Sequence, residues 1–324
     1  MPPLTSVPHQ DAAHAPPAFG SPLVPEDAPD PMILSVPGGY YLFVTNGPRG
    51  NAPVWFTPDL QRFEFVGDAL PSLPSWAAPG HTWAPDVVQT DGRFVLYFTA
   101  RHATLDIQVI GAASSDHPAG PYTSAPEPLV TMPELGGAID ASGLVTHAGQ
   151  RFLYWKNDGN AAGLPTHLFG AGVTADGLHL TGLPVVLLSA AERWERNLVE
   201  APQVIEQGGT YHLIYSAAEF WNASYSLGHA VGPTPLGPFQ RSTRRPLLAS
   251  HGTIVGPGHS HAFQDADGRW RLAFHAWTSD HVGYPSGRRE PYVAHLHLND
   301  RTASVAGSPS GTGRLRARRA RRAS

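Results

Sequence analysis

The sequence predicts an all-β fold, and within that class a five-bladed β-propeller. The first observation is a pattern, Gly-x-aromatic-x-Leu-x-aromatic with local deviations, which occurs five times along the 324 residues. The second is its spacing, because the central leucines lie 54, 57, 60 and 59 residues apart, at Leu42, Leu96, Leu153, Leu213 and Leu272. The third is the abundance of turn formers, 34 Gly and 33 Pro, without amphipathic helical patterns. A long repeat built from short strands is typical of propeller blades.

Each copy of the pattern predicts a strand that follows a tight turn. The copies read GGYYLFV at 38–44, GRFVLYF at 92–98, GQRFLYW at 149–155, GTYHLIY at 209–215 and GRWRLAF at 268–274. Alternation with a period of two after a Gly favours a strand over a helix. Further strand-like runs at 54–57, 109–114 and 225–230 indicate about four strands per unit. A β-sandwich would not repeat at this period, and a helical solenoid would need amphipathic helices.

The two ends of the chain differ in composition from the repeats between them. Residues 1–27 are rich in Pro and Ala, and we predict a disordered or extended segment there. The repeats predict one five-bladed propeller domain over residues 28–300. Residues 301–324 include the run RLRARRARR at 314–322, whose six arginines predict a disordered, solvated tail rather than a functional basic arm.

Composition and charge exclude several classes of function. The net charge of −4 argues against a nucleic-acid partner. Because there is no cysteine, the chain has no disulfide, no cysteine-based metal site and no thiol nucleophile. No apolar run approaches the length of a membrane span, and residues 1–29 lack the pattern of a signal peptide. We expect a monomer with no membrane partner, cytoplasmic unless the true start of the chain lies elsewhere, in which case it is secreted.

Residues that can carry chemistry occur at one equivalent position of the five units. This position lies thirteen residues before the central leucine, or twelve in the first unit. It is occupied by Asp30, Trp83, Asp140, Glu200 and His259. Because equivalent positions near the inner strands of a propeller converge on the central axis, we expect these side chains to meet in one cavity.

Three carboxyl groups in one cavity need a physical reason. Each is costly to desolvate, and like charges raise one another's pKa. Glycoside hydrolysis supplies a reason, because it uses one carboxylic acid to protonate the leaving oxygen and one carboxylate to activate water or attack the sugar. A third carboxylate nearby would keep the acid protonated. The alternative interpretation is that the three residues bind backbone groups where the chain enters each blade.

The motifs around these residues resemble those of a known enzyme family. The stretches are APDPMI at 28–33, WAPDVV at 83–88, AIDASG at 138–143, VEAPQV at 199–204 and GPGHSHAF at 256–263. Together and in this order, they resemble the five blade signatures of glycoside hydrolase family 43, which groups arabinanases, α-L-arabinofuranosidases and β-xylosidases. The resemblance covers about residues 28–300.

The resemblance implies an inverting mechanism and a role for each carboxyl group. Asp30 is then the general base, Glu200 the general acid, and Asp140 the residue that tunes the pKa of the acid and orients the acid or the sugar. We expect Asp140 to take the charge and leave the proton on Glu200. No cofactor is required. In a subset of the family the His of the GPGH signature lies beside an axial metal, usually calcium, so His259 is a candidate neighbour of a structural Ca²⁺ on the propeller axis.

Aromatic and basic residues near the motifs are candidates for sugar contact. Trp83 and Trp221 could stack on the C–H faces of a sugar, with core packing as the alternative. His81 lies in a Pro/Gly-rich loop that could form the rim of the cavity. The family often places a sugar-binding arginine near the end of blade five, where Arg289 is the candidate and Arg288 matches equally well.

The expected substrates are arabinose- or xylose-containing plant polysaccharides or oligosaccharides. An α-L-arabinofuranosidase or arabinanase is favoured, because the roughly 24 residues after Asp300 leave no room for the β-sandwich that many family β-xylosidases carry. A β-xylosidase, or another linkage on the same scaffold, is the first alternative. A non-catalytic sugar-binding propeller is the second, and the three carboxyl groups argue against it. An invertase-type propeller is disfavoured, because the blade-one motif is Pro-Asp-Pro and the chain has no Arg-Asp-Pro.

Overall fold

Five antiparallel sheets of four strands form the blades of a β-propeller in the computed structural model, which describes residues 19–308. Blade one consists of β1 (Met32–Val36), β2 (Gly39–Phe43), β3 (Pro53–Thr57) and β4 (Glu64–Asp68). Blade two consists of β5 (Ala77–Thr90), β6 (Arg93–His102), β7 (Gln108–Ser115) and β8 (Thr123–Ser124). Blade three consists of β9 (Ala138–Val145), β10 (Arg151–Asn157), β11 (His167–Gly172) and β12 (Val185–Ser189). The predicted fold class is therefore confirmed.

The last two blades follow the same up-and-down order. Blade four consists of β13 (Val199–Gln207), β14 (Thr210–Ala217), β15 (Ser226–Gly232) and β16 (Gln240–Arg241). Blade five consists of β17 (Val255–Gln264), β18 (Trp270–Trp277), β19 (Arg289–Leu298) and β20 (Ala303–Val305). The helices of the described chain are three short 3-10 turns at Pro133–Leu135, Gly159–Ala162 and Arg193–Glu195. Among residues 19–308, none of these is long and apolar enough to cross a membrane.

The alternation of side chains in the second strand of each blade joins neighbouring blades. In β6, Leu96 packs with Phe43 of blade one, whereas the next residue, Tyr97, packs with Leu153 of blade three. The central leucines of all five blades are fully buried against the preceding blade; they are Leu42, Leu96, Leu153, Leu213 and Leu272. The repeated pattern thus builds five separate cores between blades, with the inner strands β1, β5, β9, β13 and β17 packed around the axis.

The segment before β1 closes the ring between blades five and one. The amide of Leu23 donates to the carbonyl of Pro291 at 2.7 Å, and the amide of Ala28 donates to the carbonyl of Arg289 at 3.0 Å. Phe19 packs edge-on against Phe274, with ring centroids 5.5 Å apart. This part of the N-terminal segment is therefore folded onto the blades, because its apolar side chains complete the two cores on either side of blade five.

The propeller extends past both ends of the predicted range, residues 28–300. The described core already includes Phe19, which precedes the predicted boundary at residue 28. It continues past residue 300, because β20 (Ala303–Val305) pairs with β19 and supplies the fourth strand of blade five. Val305 is fully buried in the core between blades four and five. The disorder predicted for residues 1–18 and for the arginine-rich run at 314–322 lies outside the described residues.

Candidate active site

Every blade contributes one residue with a left-handed backbone, which lies in its inner strand or, in blade one, just before that strand. The five residues and their φ angles are Asp30 (59°), Ala84 (49°), Asp140 (59°), Ala201 (48°) and His259 (44°). Positive φ is uncommon for residues other than glycine and persists where surrounding contacts hold it in place. The recurrence in all five blades indicates that this turn is part of the repeat, and that it aims the adjoining side chains at the axis.

Side chains of the preceding blade hold four of these turns through their backbone amides. The amide of Asp30 donates to Nδ1 of His275 (3.0 Å), Ala84 to Thr45 (2.8 Å), Asp140 to Thr99 (3.1 Å) and His259 to Ser216 (2.8 Å). Each acceptor lies three residues after the central leucine of its blade. In blade three that position is Lys156, which has no acceptor atom. The amide of Ala201 donates instead to Oδ2 of Asp140 at 3.0 Å.

The predicted slot residues meet in one pocket, but they do not share one backbone position. Asp30, Asp140 and His259 are themselves the left-handed residues, whereas Trp83 and Glu200 come one residue before theirs. The hairpin between the first two strands causes the offset. The central leucine lies ten residues after its strand partner in blades three and five, and nine residues after it in the other blades. All five side chains nevertheless line one pocket of about 390 Å³.

One half of the pocket surrounds Asp30 with nitrogen groups. Oδ1 of Asp30 lies 3.3 Å from Nη1 of Arg289, 3.3 Å from Nδ1 of His275 and 3.4 Å from Nδ1 of His259. Oδ2 accepts a hydrogen bond from the hydroxyl of Thr45. Burial alone would raise the pKa of Asp30, but the charges of His259 and Arg289 outweigh it, so the pKa lies well below its usual value. Asp30 is therefore ionised at neutral pH.

Arg289 is itself held by aromatic rings on the wall of this half. Its guanidinium lies 5.0 Å from the ring centroid of Phe220, 5.5 Å from that of Tyr284 and 5.8 Å from that of Trp277. Such cation–π contacts orient a guanidinium without hydrogen-bonding its donors. Arg288, which the sequence could not separate from Arg289, has a half-exposed side chain and pairs with Glu290 at 3.1 Å. Arg289 therefore lines the pocket and Arg288 does not, while sugar contact by Arg289 stays a prediction.

The other half of the pocket holds the Asp140–Glu200 pair and a single cation. Nζ of Lys156 lies 3.2 Å from Oε2 of Glu200 and 3.8 Å from Oδ1 of Asp158. Burial and the neighbouring carboxylate of Glu200 raise the pKa of Tyr225 well above its usual value. Glu200 is 7% exposed and Asp140 is 8% exposed, so both face the pocket from largely buried positions.

Burial raises the pKa of Asp140 to about 6. The positive charge of His259 opposes the shift and the carboxylate of Glu200 adds to it. Asp140 therefore keeps a proton to a higher pH than an ordinary aspartic acid does, while the ammonium of Lys156 contacts Glu200. The expectation that Asp140 takes the charge and leaves the proton on Glu200 stays a prediction, and Lys156, which contacts Glu200, was not part of that argument.

Aromatic side chains form the walls of the pocket above the carboxyl groups. The lining includes Trp83, Phe220, Trp221, Tyr225 and Tyr284. Trp221 is half-exposed at the rim, where a stacking surface is available to a ligand. His81 does not line the pocket; it is exposed and packs edge-on against Trp83, with ring centroids 6.2 Å apart. Of the predicted sugar contacts, the structure therefore brings Trp83, Trp221 and Arg289 together and leaves His81 outside.

The surroundings of His259 do not fit a calcium ion held mainly by protein side chains. Calcium takes six to eight oxygen ligands. Within residues 19–308, no group of three or more His, Cys, Asp or Glu side chains is arranged to hold a metal. Nδ1 of His259 lies beside Oδ1 of Asp30, which Arg289 and His275 already contact. Calcium at His259 stays a prediction, and no role in the chemistry of the pocket is derived from it.

Several pocket residues are missing from the sequence-based prediction. Thr45, Lys156 and His275 follow their central leucines by three residues, so the repeat that located the carboxyl groups could also have located them. Lys156 carries a further signal, since it is the only lysine in the chain. Tyr225 and Tyr284 belong to segments outside the strands, where the repeat gives no position.

A ring of five blades that directs carboxyl groups and aromatic rings into one axial pocket is the architecture of carbohydrate-active propellers. The chain belongs to glycosyl hydrolases family 43, because the model of that family matches residues 19–302. This confirms the resemblance on which the site assignments rest.

Individual relatives and solved structures are similar over most of the chain. Xylosidase/arabinosidase 43A of Humicola insolens is 29% identical over 60% of this chain and 65% of its own length. An extracellular exo-alpha-(1->5)-L-arabinofuranosidase of Streptomyces avermitilis is 27% identical over 78% of this chain and 54% of its own. The chain thus spans less than two thirds of the length of these two relatives. The crystal structure of a thermostable family-43 glycoside hydrolase superposes with a TM-score of 0.78 at 28% identity, covering 86% of this chain and 92% of that one.

Proposed function

We propose that the chain is an inverting glycoside hydrolase that acts on arabinose- or xylose-containing plant glycans. The observation that carries the proposal is the contrast inside the pocket. One carboxyl group, Asp30, is held ionised. The other two, Asp140 and Glu200, share a site that retains a proton to higher pH than Asp30 does. Acid and base assignments follow from titratable groups whose environments push their pKa values apart.

In the proposed mechanism the two halves act on opposite faces of the sugar. Glu200 gives a proton to the leaving oxygen as the glycosidic bond breaks, and the pair with Asp140 is the source of that proton. Water bonds to the anomeric carbon from the other face and passes its proton to Asp30. Inversion requires room for this water, with the carboxyl groups of base and acid roughly 6.5–9.5 Å apart.

The walls of the pocket would bind the sugar. Trp83 and Trp221 offer flat apolar faces to C–H bonds. Arg289 presents guanidinium donors beside Asp30, where they can reach a sugar hydroxyl and also keep the base ionised. Arabinofuranosidase or arabinanase activity is the favoured form, and xylosidase activity the alternative, because relatives named for both are similar to the chain.

A product assay on four substrates tests the proposal. Purified protein is incubated with nitrophenyl arabinofuranoside, nitrophenyl xyloside, linear arabinan and arabinoxylan, and early products are followed by proton NMR. We expect release of arabinose with the anomer opposite to that of the substrate. Release of xylose alone would favour the xylosidase, and a retained anomer would make one carboxyl group a nucleophile. Binding of the glycans without any hydrolysis would identify a sugar-binding propeller.

A further inference from the structure

Lys156 occupies a repeat position whose usual task it cannot perform. In the other four blades the residue three after the central leucine is Thr45, Thr99, Ser216 or His275, and each accepts a backbone amide proton from the next blade. An ammonium group has donors only. The vacancy is filled by Asp140, whose Oδ2 accepts the amide proton of Ala201.

The lysine is directed at the pocket instead. Lys156 is fully buried, and its side chain is only 1% exposed. It contacts the carboxyl groups of Glu200, at 3.2 Å, and Asp158, at 3.8 Å. The other charged or titratable groups that face this cluster are Asp140 and Tyr225, which act on Glu200, and Arg101, which acts on Asp158.

A buried ion pair of this kind is weak evidence for a role in stability alone. Removing two charges from water costs several kcal/mol per ion, and replacing such a pair with apolar side chains is often neutral or stabilising. The charge of a general acid, however, changes during the reaction, because the acid becomes a carboxylate as its proton leaves. An interaction that strengthens at that moment lowers the barrier, whereas one that is constant does not.

We propose that Lys156 is a positioning residue for the general acid, whose ammonium fixes the Glu200 carboxyl group and stabilises the carboxylate that forms on protonation of the leaving oxygen. The inference rests on the proposed function. In the balanced step, the proton of Glu200 moves to the glycosidic oxygen, the anomeric C–O bond breaks, water supplies the new C–O bond, and a water proton goes to Asp30. Lys156 keeps its own protons throughout.

The kinetic test compares Lys156→Met with Lys156→Arg over the pH range of activity. Loss of the positive charge should move the alkaline limb of the pH–rate profile to higher pH by about one unit or more, the effect of an opposite charge at this distance. Below that limb, turnover of natural glycosides should fall by up to about tenfold, and turnover of activated aryl glycosides should change little. Lys156→Arg keeps the charge and should keep the limb near its wild-type position. An unmoved limb in Lys156→Met overturns the proposal.

A second readout does not depend on turnover and uses the single lysine of the chain. Protein labelled with [ε-¹³C]lysine, expressed without a lysine-containing tag, gives one side-chain resonance. We expect its shift to follow a titration step in the wild type that disappears in Glu200→Gln. If the step is unchanged in Glu200→Gln, Lys156 does not sense the acid and the proposal fails. If the step behaves as expected but the wild type hydrolyses no glycoside, the proposed function fails while the charge coupling stands.

Discussion

The two halves of the pocket treat their carboxyl groups in opposite ways. Asp30 is contacted by Arg289 and two histidines, and the charges of His259 and Arg289 hold its pKa well below the usual value in spite of burial. In the other half, two carboxyl groups, Asp140 and Glu200, face one ammonium, and burial raises the pKa of Asp140 to about 6. Both halves derive from the same repeat, so the difference lies in side chains and not in the path of the backbone.

The residue three after the central leucine determines much of this difference. His275 occupies that position in blade five and lies beside Asp30, while Lys156 occupies it in blade three and lies beside Glu200. Burial lowers the pKa of His275 to about 4, so it is neutral at pH 7 and accepts the amide proton of Asp30. The repeat therefore supplies a scaffold of five similar turns. The histidine and the lysine at one repeat position make the two halves of the pocket chemically distinct.

Asp30→Asn should give the largest loss, because it removes the base without changing the size of the side chain. Water must be activated whatever the leaving group is, so we expect kcat on natural and activated substrates to fall by a similar factor, about 10²–10⁴-fold. Asp116→Asn is the matched control, since Asp116 lies in an exposed ion pair with Arg93. A variant that keeps near-normal rates would remove Asp30 from the mechanism.

Glu200→Gln should separate the two classes of substrate. Natural glycosides have poor leaving groups that need protonation, so their kcat should fall by about 10²–10⁴-fold, and an activated aryl glycoside should lose much less. Glu206→Gln, near the far end of the same strand, is the control. Equal losses on both classes would show that the acid lies elsewhere and would break the comparison between the halves.

The blades could be predicted from the sequence because each strand pattern is set by neighbouring residues. The period-two alternation around Leu96 or Leu153 assigns each side chain to one of two neighbouring cores, and this assignment survives in every blade. The repeat also predicted that one residue from each blade would meet in a single pocket, and the structure places them there: Asp30, Trp83, Asp140, Glu200 and His259.

The features of the site that the sequence did not predict depend on hairpin length and on contacts between blades. A count back from the leucines does not reveal that the hairpin after the inner strand is one residue shorter in blade four than in blade three, which leaves Glu200 one residue before the left-handed Ala201. The distribution of charge also depended on Lys156, whose contact with Glu200 joins residues 44 positions apart in different blades. His81 was predicted in a loop but lies in the long first strand of blade two, β5, where its side chain stays outside the pocket. Arg289 was distinguished from Arg288 only by three-dimensional contacts.

Arg289→Met should act on the Asp30 half through pH. Arg289 helps to lower the pKa of Asp30, so its loss raises that pKa and protonates the base at higher pH. We expect the acidic limb of the pH–rate profile to move to higher pH while the alkaline limb stays in place. Arg288→Met is the control, because Arg288 contacts Glu290 instead of Asp30. Movement of both limbs would mean that the halves are not electrostatically separate.

Asp140→Asn should act on the opposite limb. The negative charge of Asp140 favours retention of a proton in the pair, so its removal should shift the alkaline limb toward acid, the reverse of the shift expected for Lys156→Met. The asparagine carbonyl can still accept the amide proton of Ala201. An alkaline limb that does not move would leave Asp140 as an orienting residue only.

The same variant carries a smaller effect on stability. The pKa of Asp140 is about 6 in the folded protein and near its ordinary value of 3.8 when unfolded. The folded state therefore binds more protons in this window, and the free energy of unfolding should fall as pH rises from about 4 to about 6. Asp140→Asn should lose this component of the pH dependence, measured as the wild-type minus variant difference in urea unfolding. A difference that is constant with pH would contradict the raised pKa.

Removal of metal should have the smallest effect of all. Arg289 and the neighbouring histidines already contact Oδ1 of Asp30, the oxygen that could bind a metal beside His259. A divalent ion there would add positive charge next to Arg289. A ligand that binds the folded state raises Tm, so a calcium ion of real affinity would be revealed by its removal. We expect dialysis against EDTA to leave Tm, kcat and both limbs of the pH–rate profile unchanged. A fall in Tm that Ca²⁺ reverses and Mg²⁺ does not would place a calcium ion on the axis. It would then have to be held largely by water, because the described side chains around His259 supply too few oxygen ligands.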